Sequence, residues 1–258
     1  MRPLSNPMLP APVDPHAPPP GTWPLFSVRG IRVFLHWSWL LVAVYHINKG
    51  QGQYSNIGWD IAEYVTLFGI VLLHEFGHAF ATRQVGGTAD QILLWPFGGI
   101  AFVQTPPRPR AYLWAIAAGP LVNAVLWPVF YFLSNYMISR LTSADLPRET
   151  INLNWNLAVF TQSIYTINTV LLIFNILPIF PMDGGQLLRG LLWLKVGPVK
   201  SLLFAAWTGL VLGAALLIYA LVKYQSTWMA IVLGLMIRQA WMTIQRVRAA
   251  QRSGALPR

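Results

Sequence analysis

The sequence predicts an all-α membrane protein: about six transmembrane helices with one small membrane-embedded β-hairpin. Hydrophobic residues make up 55% of the 258-residue chain and charged residues only 10%, where soluble domains carry about 25%. Mean hydropathy is +0.50. Apolar runs approaching the length needed to cross a bilayer, about 20 residues, recur at about 33–48, 61–82, 111–138, 156–180, 201–222 and 226–244. A net charge of +10 would suggest nucleic acid in a soluble chain. Here the basic residues flank apolar runs, so the expected partner is the lipid bilayer and no nucleic acid.

Residues 1–28 open with MRPLSNPMLPAPVDPHAPPPGTWP, too rich in proline for a helix and without a signal-peptide apolar region, so a disordered tail is expected. Residues 29–245 form the polytopic domain and 246–258 a basic tail. The first run, VFLHWSWLLVAVYHIN, is short; the second holds VLLHEFGHAF. Between the second and third lies QILLWPFGGIAFVQ (91–104), apolar on both sides of a Pro-Phe-Gly-Gly turn. That reads as a β-hairpin, too apolar for an aqueous loop and therefore dipping into the membrane, where protein or a cavity must cover its backbone. Six spans place both termini on one side. That side collects 14 of the 18 basic residues, leaving Lys49, Arg140, Arg148 and Lys223 on the other. The excess of positive charge makes it the cytoplasmic side, and His74 and His78 then lie in the cytoplasmic half of the second helix.

His74-Glu75-Phe76-Gly77-His78 is H-E-x-x-H. On a helix, positions i and i+4 share a face, so both imidazoles can reach one ion. Glu75 stands about 100° round the helix, where it can take a proton from the attacking water. A bland alternative has both histidines hydrogen-bonding neighbouring helices, but three ionisable groups within five apolar-helix residues are costly without a function. Cysteine is absent, so His, Asp or Glu must supply every ligand. A catalytic zinc normally has three protein ligands. Of the eight carboxylates, Asp14 is in the tail, Asp60, Glu63, Asp145 and Glu149 are at the outer side, and Asp90 is in the cytoplasmic segment. Asp183, in NILPIFPMDGG (175–185), lies at the inner end of the fourth span, at the depth expected for His74 and His78. The competing role for Asp183 is a cap on the helix that follows.

HEFGH together with NILPIFPMDGG resembles the site-2 protease family of intramembrane zinc metalloproteases. HWSWLL (36–41), WPFGGIAF (95–102) and AAGPLVNAVL (117–126) resemble further family motifs, and the similarity runs from about residue 30 to about 190. The resemblance implies one Zn2+ held by His74, His78 and Asp183, with Glu75 as general base. It places Asn123 near the site, as a donor to substrate or oxyanion or as an interhelical contact beside Gly119 and Pro120. Gly98 and Gly99, in the matching hairpin, would contact substrate or the oxyanion, and Asn175 would do so too, orient the Asp183 segment or bond a neighbouring helix. His36 is assigned a structural or gating role and His46 an interfacial one. A minimal form without a PDZ or CBS domain is expected, so regulation would come from a membrane partner, the tail or the substrate.

The implied activity is hydrolysis of a peptide bond in or beside a transmembrane segment of a single-pass substrate, in regulated intramembrane proteolysis at a prokaryotic plasma membrane. Two other readings use the same residues. A non-proteolytic metal-binding membrane protein would have no need of Glu75, and a zinc hydrolase of a lipid or small molecule would have no need of a strand-pairing hairpin.

Overall fold

The computed structural model describes residues 18–50, 52–95, 98–142, 150–223, 225 and 227–256. They form two compact units, one of residues 25–177 and one of residues 178–256 with 18–24. The expected tail up to residue 17, including His16, lies outside the described residues, and so does the side chain of His46.

The first unit contains β1 (Thr22–Val28, beginning just before it), β2 (Ile31–His36), α1 (Trp39–Gly50), α2 (Ile57–Gln84), β3 (Thr88–Trp95), β4 (Gly98–Gln104), α3 (Pro109–Leu141) and α4 (Ile151–Ile176). The strands make one sheet in the order β1-β2-β3-β4. β2 runs parallel to β3 with Val33 opposite Ile92, and β3 runs antiparallel to β4 with Ile92 opposite Ala101 and Leu94 opposite Gly99. The expected hairpin is thus half of a larger sheet; its tip, 96–97, lies outside the described residues. β1 and β2 meet through Arg29 and Gly30, both at positive φ (48° and 78°), as a two-residue hairpin turn requires. Ile31, Val33, Ile92 and Leu94 are buried in one core with Trp39, Val71 and Ala79, so the inward face of the sheet lies on α1 and α2.

The expected first span divides. Residues 31–36 are strand β2, residues 37–38 turn, and only the 12 residues of α1 are helical. A 12-residue helix is about 18 Å long, against a hydrocarbon core of about 30 Å. An apolar run of this kind carries no periodicity that separates strand from helix; pairing with β3 decides it. β1 likewise occupies residues that composition assigns to the tail.

α2 starts at an Asn56 cap whose side chain accepts the Gly58 N–H at 2.9 Å. Before it, Tyr54 donates to Glu63, and Asn156 of α4 accepts the Ser55 N–H at 3.0 Å and donates to Ser55 Oγ at 2.6 Å. Burial, and next the hydrogen bond to Glu63, raise the Tyr54 phenol above its ordinary pKa. α3 has Pro109 in its first turn and Pro120 and Pro128 inside it; interior prolines are tolerated where neighbouring helices re-satisfy the freed backbone. α4 stops at Ile176 because Leu177 precedes Pro178 and turns extended (φ −56°, ψ 132°).

The second unit holds α5 (Asp183–Val196), α6 (Pro198–Lys223) and α7 (Thr227–Arg252). Phe180, Leu202, Ala205, Ala206, Ala240, Ile244 and Val247 form its core. α6 presents Ala205, Ala206 and Gly209 where the chain before α5 packs: a Cβ on Gly209 would fall 2.3 Å from the Phe180 carbonyl oxygen. Among the described residues α2, α3, α4 and α6 are long and apolar enough to cross a membrane. α7 has 26 residues but carries Arg238, Arg246, Arg248 and Arg252.

Candidate active site

α2 and α3 run antiparallel, and each histidine of the H-E-x-x-H segment meets its own position on α3. His78 Nδ1 lies 2.8 Å from the Ala115 carbonyl oxygen, and His74 Nδ1 lies 2.6 Å from Asn123 Oδ1. Ala115, Gly119 and Asn123 are four residues apart and share one face of α3. The helices close tightly there: a Cβ on Gly77 would come within 2.6 Å of the Ala118 carbonyl oxygen. A carbonyl oxygen only accepts, so His78 donates from Nδ1 and keeps its lone pair on Nε2. His74 does the same toward Asn123 Oδ1.

The two Nε2 atoms are 3.1 Å apart. Tetrahedral zinc, with Zn–N about 2.05 Å, holds two ligand nitrogens about 3.3 Å apart. Gly119 opens the space beside them: its missing Cβ would lie 2.2 Å from His78 Nε2 and 2.8 Å from His74 Nε2. A side chain at 119 would therefore overlap both imidazoles at the nitrogens that carry the lone pairs. The hydrogen bonds behind the histidines are the outer partners that orient imidazole ligands. His74, His78 and Glu75 are all buried.

Glu75 faces the sheet. Its Oε2 accepts the Ala101 N–H at 3.1 Å, and a Cβ on Gly99 would come within 2.1 Å of its Cγ and 2.5 Å of its Oε1. Ala101 therefore turns its N–H away from β3, and the outer edge of β4 runs beside the carboxylate. Gly99, expected at a substrate contact, gives room to Glu75; Gly98 pairs with Trp95 at the start of β4.

Asn123 is fully buried, its oxygen toward His74 and its Nδ2 donating to Asn168 Oδ1 at 2.8 Å. Its carboxamide is thereby turned to His74. Asn175 sits half-buried in the last turn of α4. His36 ends β2 with Nδ1 bonded to the Ser38 hydroxyl. In the second unit, buried Asp183 is the first residue of α5, and Met182 rather than Asp183 holds the N-cap position. The turn leading to it is tight: a Cβ on Gly185 would lie 2.3 Å from Phe180 N, and Gln186 Nε2 donates to the Pro181 carbonyl at 3.1 Å. Sequence reasoning missed Gly119 as a space-maker and Asn168 altogether. The four-residue spacing of Ala115, Gly119 and Asn123 was the available signal for the first.

The sequence model of peptidase family M50 matches residues 62–150 and 137–219. The chain is 33% identical over 199 residues to zinc metalloprotease MJ0392 of Methanocaldococcus jannaschii, covering 77% of this chain and 54% of that protein. It is 29% identical to the putative zinc metalloprotease Rip3 of Mycobacterium tuberculosis, covering 78% of this chain and 51% of that one. It spans about half the length of the curated relatives it matches. A solved structure, the site-2 protease from Methanocaldococcus jannaschii, superposes with a TM-score of 0.57 at 27% identity, covering 86% of this chain and 95% of that one. The chain is a multi-pass membrane protein and belongs to peptidase family M50.

Proposed function

We propose that this chain is a zinc-dependent intramembrane endopeptidase that cuts a single-pass membrane protein in or beside its transmembrane segment. The chief support is the pair of Nε2 lone pairs 3.1 Å apart on an apolar helix, with the Glu75 carboxylate on the next residue. His74 and His78 supply two ligands and Asp183, the first residue of α5, the third. Zinc bound there would polarise a peptide carbonyl and acidify water. Glu75 accepts the proton of the attacking water and passes it to the leaving amine. The Ala101 N–H holds that carboxylate in place from behind.

A substrate helix shields its own carbonyls by hydrogen bonding, so it must unwind before it is cut. We assign the outer edge of β4 as the strand it pairs with, which sets an extended carbonyl near Glu75. Val103→Pro removes an edge N–H on the side Ala101 shows to be turned from β3, and is expected to lower cleavage at least about tenfold. Unchanged cleavage by the folded variant would remove the edge from the mechanism.

The test of the activity is cleavage of a model single-pass protein in liposomes by zinc-loaded, chelator-stripped and zinc-restored protein. Cleavage should vanish on stripping and return with zinc, and Asp183→Ala should behave as the stripped protein. Cutting that persists without zinc would overturn the proposal; full zinc retention by Asp183→Ala would assign the third ligand elsewhere. Counted over the six spans expected from the sequence, the 14-to-4 distribution of basic residues supports cytoplasmic termini in a prokaryotic plasma membrane, whereas an α1 that does not cross places the N-terminus on the opposite side. Since the chain has no cysteine, labelling a single cysteine placed at either end from one side of the membrane decides this. Regulation through a membrane partner in regulated proteolysis fits the same reading, and a partner whose removal leaves cleavage in cells unchanged would not be that regulator.

A further inference from the structure

Asn168 lies on α4, one helix removed from the histidines, and is 0% exposed, as is Asn123. Its Nδ2 donates to the backbone carbonyl of Asn123 at 2.9 Å, and its Oδ1 accepts from Asn123 Nδ2 at 2.8 Å. These bonds form an ordered chain of constraints. A backbone carbonyl can only accept, so it fixes which end of the Asn168 amide is nitrogen. Asn168 Oδ1 then faces Asn123 and can only accept, so the Asn123 amide must present Nδ2 to it. Asn123 Oδ1 is left facing His74 Nδ1 at 2.6 Å, and His74 must donate from Nδ1. Its Nε2 then carries the lone pair.

We infer that Asn168 is a positioning residue that sets the tautomer of His74 through Asn123. This rests on the reading of His74 as a metal ligand. Without Asn168 the Asn123 amide loses the partner that distinguishes its two ends. A flip of about 180° would then present Nδ2 to His74, drive the proton to Nε2 and block the ligand atom. His78 needs no such device, because the Ala115 carbonyl fixes it directly. Three buried polar side chains on three helices are thus satisfied in one direction only, and that direction leaves a lone pair on His74 Nε2, 3.1 Å from His78 Nε2.

The experiment is a double-mutant cycle on zinc affinity, measured by competition with a chromophoric chelator in the purified full chain. Asn168→Ala alone should weaken zinc about tenfold, the scale of outer partners of ligand histidines. In an Asn123→Ala background the same change should cost less than about twofold, because its route to His74 is gone. An equal effect in both backgrounds, or none in either, would overturn the inference while leaving the zinc site intact. Absence of stoichiometric zinc from the parent protein would instead overturn the reading of the site, and the inference with it. Should Asn168→Ala misfold, Asn168→Asp in its neutral acid form donates to the Asn123 carbonyl and accepts from Asn123 Nδ2 as asparagine does, and should keep affinity within about threefold. Imidazole 15N shifts give a metal-free check: His74 should be the Nδ1–H form in the parent and lose that preference in the alanine variant, and unchanged shifts would contradict the proposal.

Discussion

Gly119→Ala is expected to leave a folded membrane protein that holds little or no zinc. The added methyl group would lie 2.2 Å from His78 Nε2, 2.5 Å from His78 Cε1 and 2.8 Å from His74 Nε2. Room for it comes only if the imidazoles rotate or the helices part. Rotation breaks the bonds to the Ala115 carbonyl and Asn123 Oδ1. Separation works against the close crossing at Gly77, where a Cβ would already clash with the Ala118 carbonyl at 2.6 Å. The first route leaves the fold standing and removes the ligands. Local propensity acts the opposite way, since alanine is favoured over glycine inside a helix by about 1 kcal/mol. The combination is diagnostic: zinc affinity should fall by about 100-fold or more, while the metal-free protein stays folded and melts only moderately lower, the propensity gain offsetting part of the two lost hydrogen bonds. Elemental analysis and a melting curve of the same preparation measure both. Parental zinc content in the variant would mean that Gly119 serves packing alone and that the metal lies elsewhere.

The elements of the site differ in how far they could be read in advance. His74, Glu75 and His78 are legible because four-residue spacing on one helix fixes their relative direction without any tertiary information. NILPIFPMDGG is legible as a helix end followed by close turns: Pro178 stops α4, and Gly185 packs against the backbone of Phe180. The partners of these groups are not legible in the same way. Whether Asn123 faces a substrate or a histidine depends on how α3 crosses α2, which is set by contacts around Gly77 that no single helix encodes. Asn168 is one asparagine in a helix that also contains Asn152, Asn154, Asn156 and Asn175, and only the crossing with α3 selects it. β1 and β2 were hidden for another reason. Their residues form part of a tail and part of an apolar run, and pairing with β3 turns that run into a strand ending at His36.

Glu75→Gln separates proton transfer from everything else at the site. Glutamine has nearly the same size and shape, so it fits the space that Gly99 leaves and its Oε1 can keep accepting the Ala101 N–H, now 3.1 Å from Glu75 Oε2. Neither His74 nor His78 hydrogen-bonds to Glu75 through its Nδ1; those bonds go to α3. Zinc content and fold should therefore match the parent. What the amide lacks is a lone pair basic enough to take a proton near neutral pH and return it to the departing amine. A positioned general acid–base group contributes about 10²–10⁴-fold, so cleavage of a single-pass substrate in liposomes should fall by that factor at equal zinc occupancy. Loss of zinc in the variant would place Glu75 among the ligands rather than beside them. Cleavage at the parental rate with zinc retained would remove the general base from the mechanism and leave the motif as a metal site put to a non-hydrolytic use. The expected outcome, metal kept and cleavage lost, would assign proton transfer to Glu75 and metal binding to the face held by α3.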